Sequence, residues 1–201
     1  MQFSVILAIV NSLSTFQRGY ARQRRICMTT ALLEALRSSY SAYYDIFDGD
    51  AESGLPLAFR ASYSSRSEKY WLSKNIKVWA NETNEHAYLF AAESFDIETV
   101  DRCIDYVLKD GLPRVKPHKE HQYTNLAAIF IADGFDKATA KHIAKRSFSK
   151  SYKFSLHGYT ELLTAAVEPE SGSVSTNAAG RGLSAYFKKL FAANKSDTAS
   201  K

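Results

Sequence analysis

The 201-residue sequence is poor in residues that staple or break a chain, with two cysteines, four prolines and nine glycines. Cys27 and Cys103 lie far apart, one in a basic N-terminal segment and one in an apolar helical pattern. Neither a disulfide framework nor a cysteine-rich zinc site is supported, and the expected compartment is the reducing cytoplasm. Long apolar runs are missing as well. The longest near the N-terminus, Phe3 to Val10, is interrupted at Ser4 and falls far short of the roughly 20 residues a membrane-spanning helix needs. No glycine-rich phosphate loop and no Gly-x-Ser-x-Gly elbow occurs, so nucleotide-dependent and nucleophilic hydrolase chemistry has no specific support.

What is present is the composition of an ordinary globular domain, 45% hydrophobic and 13% aromatic. That excludes disorder, collagen and coiled coil, and the length suffices to bury a core unaided. The net charge of +5 would suggest a nucleic-acid or anionic-membrane partner, but its placement is uneven. Arg18, Arg22, Arg24 and Arg25 fall in residues 1–27, which hold no acid. They follow the apolar stretch, the reverse of a secretory signal. An organellar transit peptide is one reading; the preferred one is an extension outside a folded domain at 28–194, with a flexible tail at 195–201. From Met28 onward 22 basic residues face 21 acidic ones. Residues 28–110 hold eight basic and fourteen acidic side chains, and residues 111–201 hold fourteen basic and seven acidic. The domain therefore has an acidic first half and a basic second half.

Leu33, Leu36, Tyr40, Tyr43 and Phe47 recur at three- and four-residue spacing, which predicts a helix from Met28 to Phe47. Leu55 to Tyr63 alternates as a strand, with Pro56 suggesting a sheet edge and residues 64–67 a turn. Ile76, Val78 and Ala80 alternate again; after a turn at Asn81 to Asn84, the apolar run Ala87 to Ala92 reads as the second strand of a hairpin, buried on both faces. Two segments then resemble each other. Tyr88 to Ala92 leads into Phe95, Asp96 and Thr99, and Leu126 to Ala132 leads into Phe135, Asp136 and Thr139, each aspartate placed to cap a helix. Tyr152, Phe154 and Leu156, then Leu163, Ala165 and Val167, read as strands, with a short strand near Val174 and a final helix carrying Leu183, Tyr186, Phe187 and Leu190. The expected fold is a single α+β domain, a mixed and mainly antiparallel sheet with helices packed on it.

Candidate chemistry is sparse. His118 and His121, three apart beside Glu120, can converge on a divalent metal if the chain turns there, although the metalloprotease spacing is not met. Glu82 and Glu85, at the expected hairpin tip with Asn84 and His86, offer carboxylates. Together Glu82, Glu85, His118 and His121 would make a hydrolytic centre around an activated water. The ordinary readings are a polar connection and good turn chemistry. Lys145, Arg146, Lys150 and Lys153 interleave with Phe148, Tyr152 and Phe154, a pattern that suits phosphates and stacked bases but equally suits a solvated face. Arg181, after Asn177 and Gly180 at the start of the last helix, is a further anion-binding candidate. Nucleic acid is thus a partner that is considered but not favoured, beside self-association between the oppositely charged halves. Cys103, between Val100 and Val107, reads as core packing.

At Lys69 to Lys74 (Lys-Tyr-Trp-Leu-Ser-Lys), Val78 to Glu85 (Val-Trp-Ala-Asn-Glu-Thr-Asn-Glu), Val115 to His121 (Val-Lys-Pro-His-Lys-Glu-His) and Thr176 to Arg181 (Thr-Asn-Ala-Ala-Gly-Arg), the chain resembles a family of uncharacterised bacterial proteins from clostridia and other gut Firmicutes. The resemblance covers roughly residues 30–190. It implies a small cytosolic bacterial protein and transfers no catalytic residue. Function is therefore expected to be that of a soluble binding or interaction module. The alternative is a metal-dependent hydrolase or nuclease built on the Glu/His cluster beside the basic surface.

Overall fold

Alternation along the middle strands sets the architecture. In β3 (Lys77–Ala92) and β4 (His121–Ala132) successive side chains go to opposite faces, and over the last turns of both strands each face is apolar. Ala87, Leu89, Ala127, Ile129 and Ile131 enter one core, whereas Tyr88, Phe90, Leu126, Ala128 and Phe130 enter the other. A sheet apolar on both faces must be covered on both. The computed structural model, which describes residues 28–49, 54–70 and 77–198, meets this with helices on each side of a seven-stranded mixed sheet.

Among the described residues the elements are α1 (28–41), β1 (Asp45–Asp48), β2 (Leu57–Tyr70), β3, α2 (Ile97–Gly111), a short 3-10 turn (Leu112–Arg114), β4, α3 (Lys137–Lys145), β5 (Ser149–Ser151), β6 (Tyr159–Glu168), β7 (Ser173–Thr176) and α4 (Arg181–Thr198). Strands lie in the order β1-β2-β3-β4-β6-β5, with β7 also on β6. β3, β4 and β6 are parallel and the outer pairings antiparallel. The α+β single-domain expectation holds and the sheet is mixed. Its centre is parallel, where a mainly antiparallel sheet was expected, because each central strand is followed by a helix that returns the chain.

The two similar segments are the two crossovers. Asp96 accepts from Thr99 N, and Asp136 from Ala138 N and Thr139 N, so each aspartate satisfies amides that the first helical turn leaves free. Val100, Cys103, Ile104 and Val107 of α2 and Ile143 of α3 press on one face; Leu32, Leu36 and Tyr40 of α1 and Phe187 of α4 press on the other. Burial pushes the Cys103 thiol up to about 12, as suits a packing residue. At the far edge Asn177 is a buried tie. Its Oδ1 accepts from Thr164 N at 3.1 Å and Gly180 N at 2.8 Å, and its Nδ2 donates to Arg146 O at 3.0 Å and Leu162 O at 2.8 Å. This one amide joins β6, the end of α3 and the start of α4.

Several local expectations are overturned. The first helix stops at residue 41, where Tyr43 N and Tyr44 N both bond to Tyr40 O, and Phe47 belongs to β1. β2 runs straight through residues 64–67, pairing Ser64 with Asn84 and Arg66 with Glu82. Glu82, Asn84, Glu85 and His86 therefore lie within β3 and not at a hairpin tip. Polar residues misled because the ribbon extends beyond the apolar core, so neither face needs to alternate there. β2 is not an edge strand. Pro56 stands just before it, where a missing N–H takes nothing from the ladder, and its carbonyl accepts from Ala91 N at 2.9 Å. Residues 152–158 form a loop instead of a strand. α4 continues through residues 195–198, read from sequence as tail. The extension at 1–27 and the strand residue Ile76 lie outside the described residues.

Candidate ligand-binding site

β3 separates the two carboxylates that the sequence put together. Glu82 and Glu85 are three apart on a strand and so project to opposite faces. Glu82 accepts from Asn84 Nδ2 at 3.0 Å and lies 3.2 Å from His118 Nε2. The Asn84 amide, then His118, outweighs partial burial and holds its carboxyl below the usual range. His118 Nδ1 accepts from Glu120 N at 3.2 Å, so Nε2 carries the proton and donates to Glu82. His121 is buried, with Nδ1 2.8 Å from His157 O and Nε2 2.9 Å from Thr124 Oγ1. A carbonyl only accepts; Nδ1 therefore donates and Nε2 receives the Thr124 hydroxyl. The structure thus brings Glu82, His118 and His121 together, engages both nitrogens of His121 within the protein, and leaves Glu85 on the other side of the sheet. Among the described residues no group of three or more His, Cys, Asp or Glu side chains is arranged to hold a metal ion.

The basic candidates do not share one surface role. Arg146 Nε lies 3.3 Å from Asp101 and His142 Nε2 2.8 Å from the same carboxylate, so the charge contrast between α2 and α3 is partly neutralised inside the molecule. Lys145, Lys150 and Lys153 are exposed, and the Lys150 ammonium lies 5.5 Å from the Tyr152 ring centre. Arg181 is exposed at the start of α4, but Asn177, its expected companion, is fully occupied by the bonds described above.

A further polar group was not foreseen. Ser62 Oγ is 3.0 Å from His86 Nδ1, beside Asp110, which accepts from Tyr88 at 2.7 Å and from Arg114 at 2.7 Å and pairs with Arg60 at 3.4 Å. The arrangement has the members of a serine nucleophile and its base. Burial, then the Arg114 and Arg60 charges, pushes His86 down to about 4, too weak a base to drive proton transfer near neutrality. Both arginines are engaged by Asp110. This network closes the C-terminal end of α2 against β2 and β3.

One of several concavities lies on the opposite face. Tyr40 and Ser39 at the end of α1, Tyr43 and Tyr44 in the turn that follows, Glu85 of β3, and Leu183 and Tyr186 of α4 line a cleft of about 210 Å³. The sharp end of α1 positions three of the four tyrosines. Tyr40 and Tyr44 meet edge to face at 4.7 Å, Tyr44 leans on Tyr63 at 5.1 Å, and Tyr186 packs on Phe187 at 5.4 Å. Across the mouth Ser39 Oγ and Tyr186 OH are 3.4 Å apart. Tyr44 donates to the Glu85 carboxylate. Burial raises the Glu85 carboxyl above its ordinary range, with the Tyr44 hydrogen bond acting against it. Burial and the Glu85 charge push the Tyr40 and Tyr44 phenols upward, so both stay protonated donors. No lining residue is cationic. The cleft offers one anion, hydroxyl groups and aromatic faces.

A family profile described as a domain of unknown function, DUF8052, matches residues 28–189. The chain belongs to this family. The match starts at the first described residue of α1 and runs into α4, so the DUF8052 region includes every residue lining the cleft. No curated protein and no solved structure matches the chain. No helix of the described DUF8052 domain is long and apolar enough to cross a membrane. Sequence reasoning placed Tyr40 and Tyr43 on a core stripe and passed over Ser39 and Tyr44. The available signal was chemical: three tyrosines in five residues, where a purely packing stripe would use leucine, which has no hydroxyl to satisfy.

Proposed function

We propose that the protein is a binding module that takes a compact organic cation in the cleft between α1 and α4. The observation that carries this is Glu85, a largely buried carboxylate under four tyrosines with no basic residue beside it among the described residues. A buried charge is tolerated where something complements it, and an alkylammonium group does so twice, by its charge and by contact with aromatic faces. The volume is below the roughly 300–1,000 Å³ of sites for drug-sized ligands, which suits a small headgroup. The rival metal-dependent hydrolase loses Glu85 to the far face and His121 to Thr124 and His157. Along with this reading goes a soluble bacterial protein of the cytoplasm, supported by the low cysteine content and the clostridial resemblance. Calorimetric titration with choline, and with its uncharged analogue carrying carbon in place of nitrogen, tests it. Choline should bind, the analogue should bind far more weakly, and Glu85→Gln should weaken choline by about tenfold, equivalent to about 1.4 kcal/mol. Equal binding of the two compounds, or no binding of either, overturns the proposal.

A further inference from the structure

At the sheet end where β4 and β6 begin, the loop 152–158 joins β5 to β6. Lys153, Phe154 and Ser155 have φ of 47°, 55° and 67°, a full turn of left-handed backbone built without glycine. Such a conformation is unfavourable for each L-residue and persists only where surroundings impose it. They do so here. Leu156 N bonds to Lys153 O at 3.0 Å, His157 N to Tyr152 O at 3.1 Å, and Tyr152 N to Gly158 O at 3.0 Å, while His157 O is held by His121 from β4. The result of this constraint is that Phe154 is 100% exposed and Leu156 75% exposed. Two large apolar side chains stand free on a braced turn.

Their neighbours along the chain are cationic; across the sheet end Glu82 and Glu120 flank His121 but are engaged by His118 and Arg66. Lys150 and Lys153 are exposed on the same ribbon, Lys145 ends α3 four residues before β5 begins, and Tyr159 at the loop's exit is 39% exposed. The nearest acid on the ribbon is Glu161, opposite Ser149 at its base. The region belongs to the half of the domain with fourteen basic and seven acidic residues. From this juxtaposition we infer that the loop is a docking finger for an anionic lipid bilayer, Phe154 and Leu156 entering the acyl boundary while Lys150 and Lys153 meet lipid phosphates. Two isolated side chains on a protruding turn are too little surface for a protein partner, which needs on the order of 1,000 Å² of buried area. They suffice for shallow insertion, where apolar contact and attraction of lysines to anionic headgroups add. Tyr152 and Tyr159 fit the interfacial zone between headgroups and chains. This inference does not depend on the cleft, which lies between α1 and α4.

Co-sedimentation of the full chain with vesicles of phosphatidylglycerol mixed with phosphatidylcholine, and with phosphatidylcholine alone, tests it. The mixed vesicles should bind the protein at least about tenfold more strongly, and rising salt should weaken the binding, as expected of lysines near an anionic surface. The double variants Phe154→Ser/Leu156→Ser and Lys150→Glu/Lys153→Glu should each lose about tenfold or more. These side chains are exposed, so the variants should keep the wild-type circular dichroism spectrum. Each differs from wild type only in this ribbon, so any contribution of residues elsewhere cancels. Absence of binding to mixed vesicles, or binding unchanged in folded variants, overturns the inference. So does loop-dependent binding of a single-stranded oligonucleotide without binding of vesicles.

Discussion

Replacing Gly158 by alanine tests whether His121 is a structural anchor. Gly158 has φ of +75°, and a Cβ there would lie 2.5 Å from Gln122 O, 2.6 Å from His121 Nδ1 and 2.6 Å from His121 O. Two of these atoms are backbone and cannot swing aside; the third belongs to a buried ring. The left-handed conformation alone costs an alanine about 1–2 kcal/mol. Displacing the His121 ring from His157 O removes a hydrogen bond contributing about 1 kcal/mol. The total, about 2–3 kcal/mol, corresponds to a fall in Tm of roughly 4–12 °C for a domain of this size. Gly54 supplies the control, since it has φ of +63° and, among the described residues, nothing within 4 Å of its would-be Cβ. Gly54→Ala should cost about 1–2 kcal/mol, the conformational part alone. Urea unfolding with an unchanged m-value reads both variants. Costs within about 0.5 kcal/mol of each other would refute the anchoring argument, because the contact with His121 and Gln122 would then count for nothing.

Glu85→Gln should stabilise the fold at neutral pH while weakening cation binding about tenfold. The folded carboxyl is raised above the ordinary 4.5 of a glutamate, so the stability contributed by its protonated form is present below that value and lost as pH rises through the folded pKa. The variant cannot ionise, and its advantage in Tm should grow from acid to neutral pH; an advantage that shrinks over that range contradicts the burial of Glu85. Asn177→Ala leaves Thr164 N and Gly180 N without their acceptor and should cost about 2–4 kcal/mol, measured by denaturant midpoint. A loss below about 1 kcal/mol would show that water replaces the amide.

How much of this was legible depends on whether local pattern or long-range pairing decided each feature. Asp96 and Asp136 were readable because a helix cap is a local bargain between one side chain and the amides two or three residues on. That the run from Ala87 to Ala92 faces apolar surroundings on both sides was readable because an apolar run that short cannot be half-solvated. Glu82 and Glu85 were misplaced because a polar stretch between apolar runs looks the same as a turn and as the solvated end of a long ribbon; only the pairing of Arg66 with Glu82 decides. Tyr152, Phe154 and Leu156 alternate as a strand would, yet the hydrogen bonds of His157 and Leu156 turn the chain left-handed. The cleft was invisible for a related reason. Tyr40, Glu85 and Tyr186 are far apart in sequence and meet only when α1 and α4 dock on the same face of the sheet.

That docking has a consequence for synthesis on the ribosome. The β3-α2-β4-α3-β6 stretch is contiguous, so its core on the α2 and α3 side can assemble as soon as Glu168 has emerged. The other face waits for Phe187 of α4, nineteen residues later. At 5–20 residues per second that interval is about 1–4 s, during which Leu89, Ile129 and Val167 have only α1 to shield them. The tyrosine cleft has one wall until then, so no ligand can hold the nascent chain in shape before Phe187 seats.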